Sequence, residues 1–297
     1  MDMRDTFLTD ISAAIDTDPR IALVLADISA VAVEDVALRH PDQVINVGIR
    51  EQTLIGVAGG LALTGLRPVA HSYAPFLIER PFEQVKLDFG HQDTGAVLVS
   101  IGGSHEWTEG GRTHMSPGDV ALLDTLPGWT VHVPGHAAEV RELLADALLR
   151  DDRIYLRLNI RANRVPHLGS GFQTIRQGTA GVVLAVGPML DSVLEATAGR
   201  DLTVLYASTI RPFDGVRLRS AVWDARPDVA VVEPYLRGTS SHFVNDALAD
   251  VPHRVLSLGI RRDTEIRRYG TPEQHDTAHG IDPDGLRTAF DGFFSVN

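Results

Sequence analysis

Glu51 stands where a short β-branched run, Gln43 to Val47, gives way to apolar residues at helical spacing: Leu54, Ile55, Ala58, Leu61 and Ala62. Gly48 permits a tight turn between the two. The pattern puts a carboxylate at a helix N-terminus and at the carboxyl end of a strand, where open α/β sheets bind ligands. The plain alternative is that an acidic first turn complements the helix dipole, worth about 0.3–1 kcal/mol. Asp27 closes a continuous apolar run, Ile21 to Ile28, and occupies a similar strand-end position. Its plain alternative is a turn aspartate capping the next element. A third strand end, after Ala96 to Ile101, runs into a glycine-rich loop that carries His114. Such a loop can cradle an anion.

Other chemistries are restricted. Lys86 is the only lysine, so a Schiff base would have to use it. The absence of cysteine excludes disulfides, thiolate catalysis and cysteine-ligated metal sites. His132 and His136 have a nominal i, i+4 spacing, but Pro134 and Gly135 break any helix between them. They read as loop histidines, and no metal ligand is assigned in this chain.

These residues must be positioned by a large α/β framework. The chain has 297 residues, enough for two domains with real cores. Helices are expected over Met3 to Ile15, Asp119 to Leu126 and Ala137 to Leu149, and strands over Arg67 to Tyr73, Thr130 to Val133 and Ile154 to Leu158. Arg164 to Gln177 is rich in Pro, Gly and polar residues. Four buried strands come after it, Gly181 to Val186, Leu202 to Ala207, Asp228 to Glu233 and His253 to Leu258, separated by helical stretches. The expectation is two consecutive α/β domains with mainly parallel sheets, over 1–165 and 178–297, joined by a linker at 166–177. The net charge of −12 argues against a nucleic-acid or anionic-membrane partner. No apolar run approaches a membrane span. Met1 to Asp10 has no signal-peptide core, and cytoplasm is the default compartment.

Two segments together carry a family resemblance. Gly48-Ile49-Arg50-Glu51 resembles the Gly-Ile/Val-Arg-Glu segment of the thiamine-diphosphate enzymes of the transketolase family, and Gly111-Arg112-Thr113-His114 resembles their Gly-x-Thr-His. The resemblance extends over essentially the whole chain, including Thr209-Ile210-Arg211-Pro212-Phe213-Asp214 and the tail from Gly270 to Asp282. It implies a pyrimidine-binding domain followed by a transketolase C-terminal domain, the latter without catalytic residues. Glu51 then binds the cofactor's aminopyrimidine ring and shares a proton with it. Asp27 and Ile28 match an Asp and apolar residue facing the thiazolium, with Ile28 as the buttress that bends the cofactor. Tyr73 and Phe76 match the aromatic pair that brackets the pyrimidine. Arg80 matches a following arginine, with one extra residue between Phe76 and Arg80. His114 matches a substrate-contacting histidine that assists proton transfer. Arg4 and Arg161 match arginines that bind phosphate or substrate.

The chain departs from the family at the acceptor side. Gly110 replaces an Asp that helps select hydroxylated aldehydes, and Gly102-Gly103 stand where relatives place a His or Arg for a phosphorylated sugar. Family enzymes also hold the diphosphate through Mg²⁺ on a separate domain marked by Gly-Asp-Gly and a downstream Asn, and no Gly-Asp-Gly occurs here. The resemblance therefore implies the C-terminal subunit of a split transketolase-like enzyme. It would share thiamine diphosphate with an N-terminal subunit that binds Mg²⁺, in an α2β2 assembly, and transfer a two-carbon ketol unit to an aldehyde or carrier. The alternatives are the β subunit of a 2-oxo-acid dehydrogenase first component and a non-catalytic regulatory partner.

Overall fold

The computed structural model describes residues 2–295. It contains two mainly parallel sheets covered by helices, the expected class of fold. The strands are β1 (Ile21–Leu25), β2 (Val44–Asn46), β3 (Arg67–Tyr73), β4 (Ala96–Ile101), β5 (Trp129–His132), β6 (Arg153–Arg157), β7 (Gln173–Arg176), β8 (Val182–Val186), β9 (Thr203–Ala207), β10 (Thr209–Arg211), β11 (Asp228–Leu236) and β12 (Arg254–Ile260). The first sheet has the order β10-β5-β6-β4-β3-β1-β2, and the second β12-β11-β8-β9-β7. Strands β1, β4, β8 and β9 are buried along their whole lengths. This is what their largely apolar sequences require when helices cover both faces.

Two strands escape the sequence pattern. β7 lies inside the stretch read as a linker and pairs antiparallel with β9. Its Gln-Thr-Ile-Arg sequence is only half-buried, as an edge strand allows, so no apolar run marks it. Next to it, Phe172 is buried and meets Phe213 edge to face, with centroids 4.9 Å apart. β10 comes from the second half of the chain yet joins the first sheet, antiparallel to β5. At three residues it is too short for periodicity to register. Arg211, its last residue, forms a bidentate pair with Asp124 at 2.8 and 2.6 Å and lies over the Phe243 ring at 3.9 Å. One apolar cluster accordingly runs through both halves, from Val24 and Leu54 to Val231 and Leu248.

The two histidines read as loop residues are also placed differently. His132 ends β5, is buried, and shares a 2.9 Å hydrogen bond with Thr209 on β10. His136 caps the helix Ala137–Leu149 by accepting the Ala138 N–H at 3.1 Å. Among the described residues, no helix is long and apolar enough to cross a membrane.

Candidate active site

The carboxyl ends of β1, β2, β3 and β4 deliver the residues of interest to one edge of the first sheet. The helix after β2 begins at Glu51, and Gly48 takes a left-handed turn (φ +72°) just before it. Asn46 organises the approach. Its side-chain oxygen accepts the N–H groups of both Asp27 and Gly48, each at 3.0 Å. Asp27 itself is exposed and has φ +69°, so the β1 strand stops at Leu25 and Asp27 and Ile28 lie in the turn beyond it.

Glu51 is 2% exposed. Its carboxylate accepts a hydrogen bond from Arg80 Nη1 at 2.7 Å, its one hydrogen-bond partner among the described residues. Arg80 is half in solvent, with its guanidinium 4.1 Å from the centre of the Phe76 ring. The extra residue between Phe76 and Arg80 is absorbed by a π-helical turn, Pro75–Glu79, in which Arg80 N–H bonds back to the Pro75 carbonyl at 3.0 Å. A π turn holds one residue more than an α turn. The insertion and the arginine's reach to Glu51 are therefore compatible.

The aromatic residues form a cluster around His114. Phe76 and Tyr73 meet it edge to face, at 5.0 and 5.7 Å between ring centres. Tyr73 and Phe76 meet each other in the same way at 6.1 Å. Trp107 completes the group, stacked on Tyr73 at 4.8 Å and edge-on to His114 at 4.5 Å. Nothing but its place in a glycine-rich loop singles out Trp107 in the sequence. His114 Nδ1 lies 3.0 Å from the Thr113 hydroxyl and 3.1 Å from the Gly110 carbonyl, and Nε2 has no hydrogen-bond partner among the described residues. Nε2 is then the nitrogen free to accept or exchange a proton.

The glycines that depart from the family pattern have packing reasons. A Cβ on Gly110 would come within 2.7–2.9 Å of the His114 ring, so glycine is what lets His114 fold back onto the loop. A Cβ on Gly103 would meet the buried Arg157 guanidinium at 2.4 Å, and one on Gly102, which has φ +65°, would press on Tyr73 at 3.2 Å. Arg157 fixes the loop from below. It donates to Asp119 at 2.7 Å, to Asn159 at 2.9 Å and to Ser104 at 2.8 Å.

Arg4 reaches the same region from the N-terminal helix, Met3–Ile15. It shares a cavity of about 270 Å³ with Tyr73, Gly102, Trp107 and Ile160. Its guanidinium donates to Ser29 Oγ at 3.0 and 3.2 Å, and Ser29 lies 2.9 Å from His71 Nε2. His71 Nδ1 donates to the Val99 carbonyl at 2.8 Å, so Nε2 accepts from Ser29. Burial holds His71 neutral by pushing its pKa down to about 4. The unfolded chain, by contrast, takes up this proton near the ordinary value of about 6.5. Stability from this group is therefore full above pH 6.5 and is lost as pH falls from 6.5 to 4. We expect the pH 5 unfolding free energy to lie about 2 kcal/mol further below its pH 7.5 value in the wild type than in His71→Gln. Urea titrations at the two pH values check this, and equal losses would remove His71 as the cause.

Arg161 is placed elsewhere. Its side chain pairs with Asp276 on the helix Pro272–His279, although its neighbours Asn159 and Ile160 line the aromatic cavity. Asp276 also bonds His105 at 2.8 Å. His105, His275 and His279 gather beside it, a grouping that spacing could not reveal because 170 residues separate the first from the second. Burial lowers the pKa of His105 and pushes that of His279 down to about 4.

The comparisons with known proteins agree with this architecture. A sequence profile described as the transketolase pyrimidine binding domain matches residues 1–164. The chain is 54% identical to a 33.6 kDa protein in the fasciation locus of Rhodococcoides fascians, over 98% of this chain and 95% of that protein. It is 32% identical to the 6-deoxy-6-sulfo-D-fructose transketolase subunit SqwH of a Clostridium species, over 74% of this chain and 72% of that one. Among solved structures it resembles the β4 tetramer of a split-gene transketolase, with a TM-score of 0.83 at 23% identity over 99% of this chain and 98% of that chain. From the edge of the first sheet to the far end of the second, this chain belongs to the transketolase family and has the layout of a split transketolase subunit.

Proposed function

We propose that this chain is the C-terminal subunit of a thiamine-diphosphate-dependent split transketolase that moves a two-carbon ketol unit from a ketose-type donor to an aldehyde or carrier acceptor. A partner chain bearing the diphosphate and Mg²⁺ domain completes the site, in a two-plus-two assembly. The observation that carries the reading is the unbroken contact series Glu51–Arg80–Phe76–His114–Tyr73 at one sheet edge. The matches to relatives of similar size, over 98% of this chain for one and 74% for a transketolase subunit, support the division between two chains.

The donor set fits a cationic heteroaromatic cofactor. A buried carboxylate offers an acceptor to a ring N–H, and neighbouring rings provide edge-to-face partners. When bound, thiamine diphosphate supplies the carbanion chemistry, and the protein supplies position and electrostatics. Glu51 holds the proton shared with the pyrimidine. Arg80, 2.7 Å from that carboxylate, orients it. Tyr73 and Phe76 bracket the ring, and Asp27 and Ile28 border it from the β1 turn. His114, its Nδ1 engaged by Thr113 and Gly110, moves protons at Nε2. Arg4 provides positive charge in the cavity, while Arg161, held by Asp276, contributes to substrate binding only if it leaves that pair.

The deciding experiment is a tagged pull-down from the source cells, with mass spectrometry of the bound proteins and an assay of the eluate for thiamine diphosphate. We expect a stoichiometric partner whose sequence carries Gly-Asp-Gly and a downstream Asn, with cofactor present. Ketose donors should then support turnover and 2-oxo acids should not. A chain recovered alone and free of cofactor would overturn the assignment in favour of a regulatory role.

A further inference from the structure

The three histidines beside Asp276 have the organisation of a divalent-metal site. His275 and His279 are four residues apart on the helix Pro272–His279 and so share a face. His105 comes from the loop after β4, across the interface between the two halves. One ligand nitrogen from each ring lies within 4.8 Å of the other two.

Proton placement separates this group from a chance stack of rings. His105 Nε2 is 2.8 Å from the Asp276 carboxylate, so it carries the proton. His275 Nε2 is 2.8 Å from the Tyr269 carbonyl and 3.1 Å from that of Arg268, so it is the donor as well. In both rings the lone pair is left on Nδ1. His105 Nδ1 is buried and has no hydrogen-bond partner, although the residue is only 6% exposed. A buried acceptor without a partner is unfavourable, and a bound cation would satisfy it. Ligating histidines characteristically donate their other N–H to a carboxylate or a backbone carbonyl, which is the arrangement of His105 and His275. His279 is held more loosely, with Nδ1 3.3 Å from the Arg261 N–H. It can release that contact to turn toward an ion.

We propose that His105, His275 and His279 bind one zinc ion, with Asp276 orienting His105. Three neutral imidazoles suit zinc among the common divalent ions, whereas the Mg²⁺ of the diphosphate domain demands oxygen ligands. Tetrahedral Zn–N bonds of about 2.0–2.1 Å bring the nitrogens to about 3.3 Å from one another, against a present spacing within 4.8 Å. The fourth position opens on a cavity of about 420 Å³ lined by Arg112, Arg261, Arg262 and Glu265. The ion pins the loop that bears Trp107 and His114 to the C-terminal half, so it is a positioning device for the first site. This zinc site rests on the His105–Asp276 geometry and stands apart from the transketolase assignment.

The test uses the full chain, produced without a polyhistidine tag, stripped with chelator and titrated with Zn²⁺. Elemental analysis after desalting should find about one zinc per chain, and Co²⁺ in its place should give the intense visible bands of a four-coordinate site. The double substitution His275→Gln and His279→Gln should abolish retention. Asp276→Asn should weaken affinity about 10–100-fold. Arg161→Gln, which removes the other partner of Asp276, should leave retention intact. Circular dichroism confirms that each variant is folded. A folded wild-type chain that retains no more zinc than the double variant would overturn the proposal, whatever the enzyme's activity.

Discussion

Glu51→Gln, assembled with its partner subunit and saturated with thiamine diphosphate, should lose about 10²- to 10⁴-fold in turnover, the scale on which a positioned acid–base group contributes. Folding should barely notice. Glutamine has the same shape and keeps an oxygen for the Arg80 hydrogen bond now made at 2.7 Å. Arg80 is 40% exposed on its side chain, so water compensates it for the lost charge. The stability change should stay within about 1–2 kcal/mol. What glutamine cannot do is hold and return a proton. Glu51→Asp separates charge from reach: it keeps the carboxylate but withdraws it by one methylene, and should fall between the two. The measurements are steady-state turnover with a ketose donor and a urea titration of the same preparations. Near-wild-type turnover in the glutamine variant would remove Glu51 from the chemistry.

What can be foreseen from sequence and what cannot divides along physical lines. The helix at Glu51 begins where Gly48 and the apolar spacing put it, and Ala137–Leu149 has the bounds its periodicity predicts. Both signals are local. β10 is not local: Thr209–Arg211 becomes a strand only because β5 offers an open edge, and Arg211 stays there because Asp124 waits on the other half. The π turn at Pro75–Glu79 is a choice of hydrogen-bond register that side-chain period does not encode. Gly110 shows a different limit. Compared with the family pattern it reads as a lost aspartate, whereas the structure gives the bare Cα a use, since His114 packs where a Cβ would be. Trp107 and the three clustered histidines carry no signal in the sequence because their significance lies in neighbours distant in the chain.

Asp119 is the position where a single substitution should cost the fold most. Its side chain and that of Arg157 are both fully buried, 2.7 Å apart. Asp119 also accepts the Tyr155 hydroxyl at 2.7 Å and the Val120 N–H at 2.9 Å. Burying the pair gains little over an apolar pair of equal volume, because desolvation offsets the attraction. Removing one member is another matter. Asp119→Ala leaves a fully buried guanidinium without its ion-pair partner, and should destabilise the chain by about 3–5 kcal/mol, a large share of the roughly 5–15 kcal/mol that holds a domain together. Replacing Arg157 by Met as well should restore a good part of that stability, since the stranded charge disappears. The two variants should nevertheless differ from wild type in the same functional way. Arg157 also holds Ser104 at 2.8 Å and packs beneath Gly103, so the loop that carries Trp107 and His114 loses the anchor of its floor in Asp119→Ala and the floor itself in the double variant. Urea unfolding of wild type, Asp119→Ala and the double variant decides the energetic claim. An Asp119→Ala chain within about 1 kcal/mol of wild type would mean that water or a shifted side chain reaches Arg157, and that the loop is anchored by something other than this ion pair.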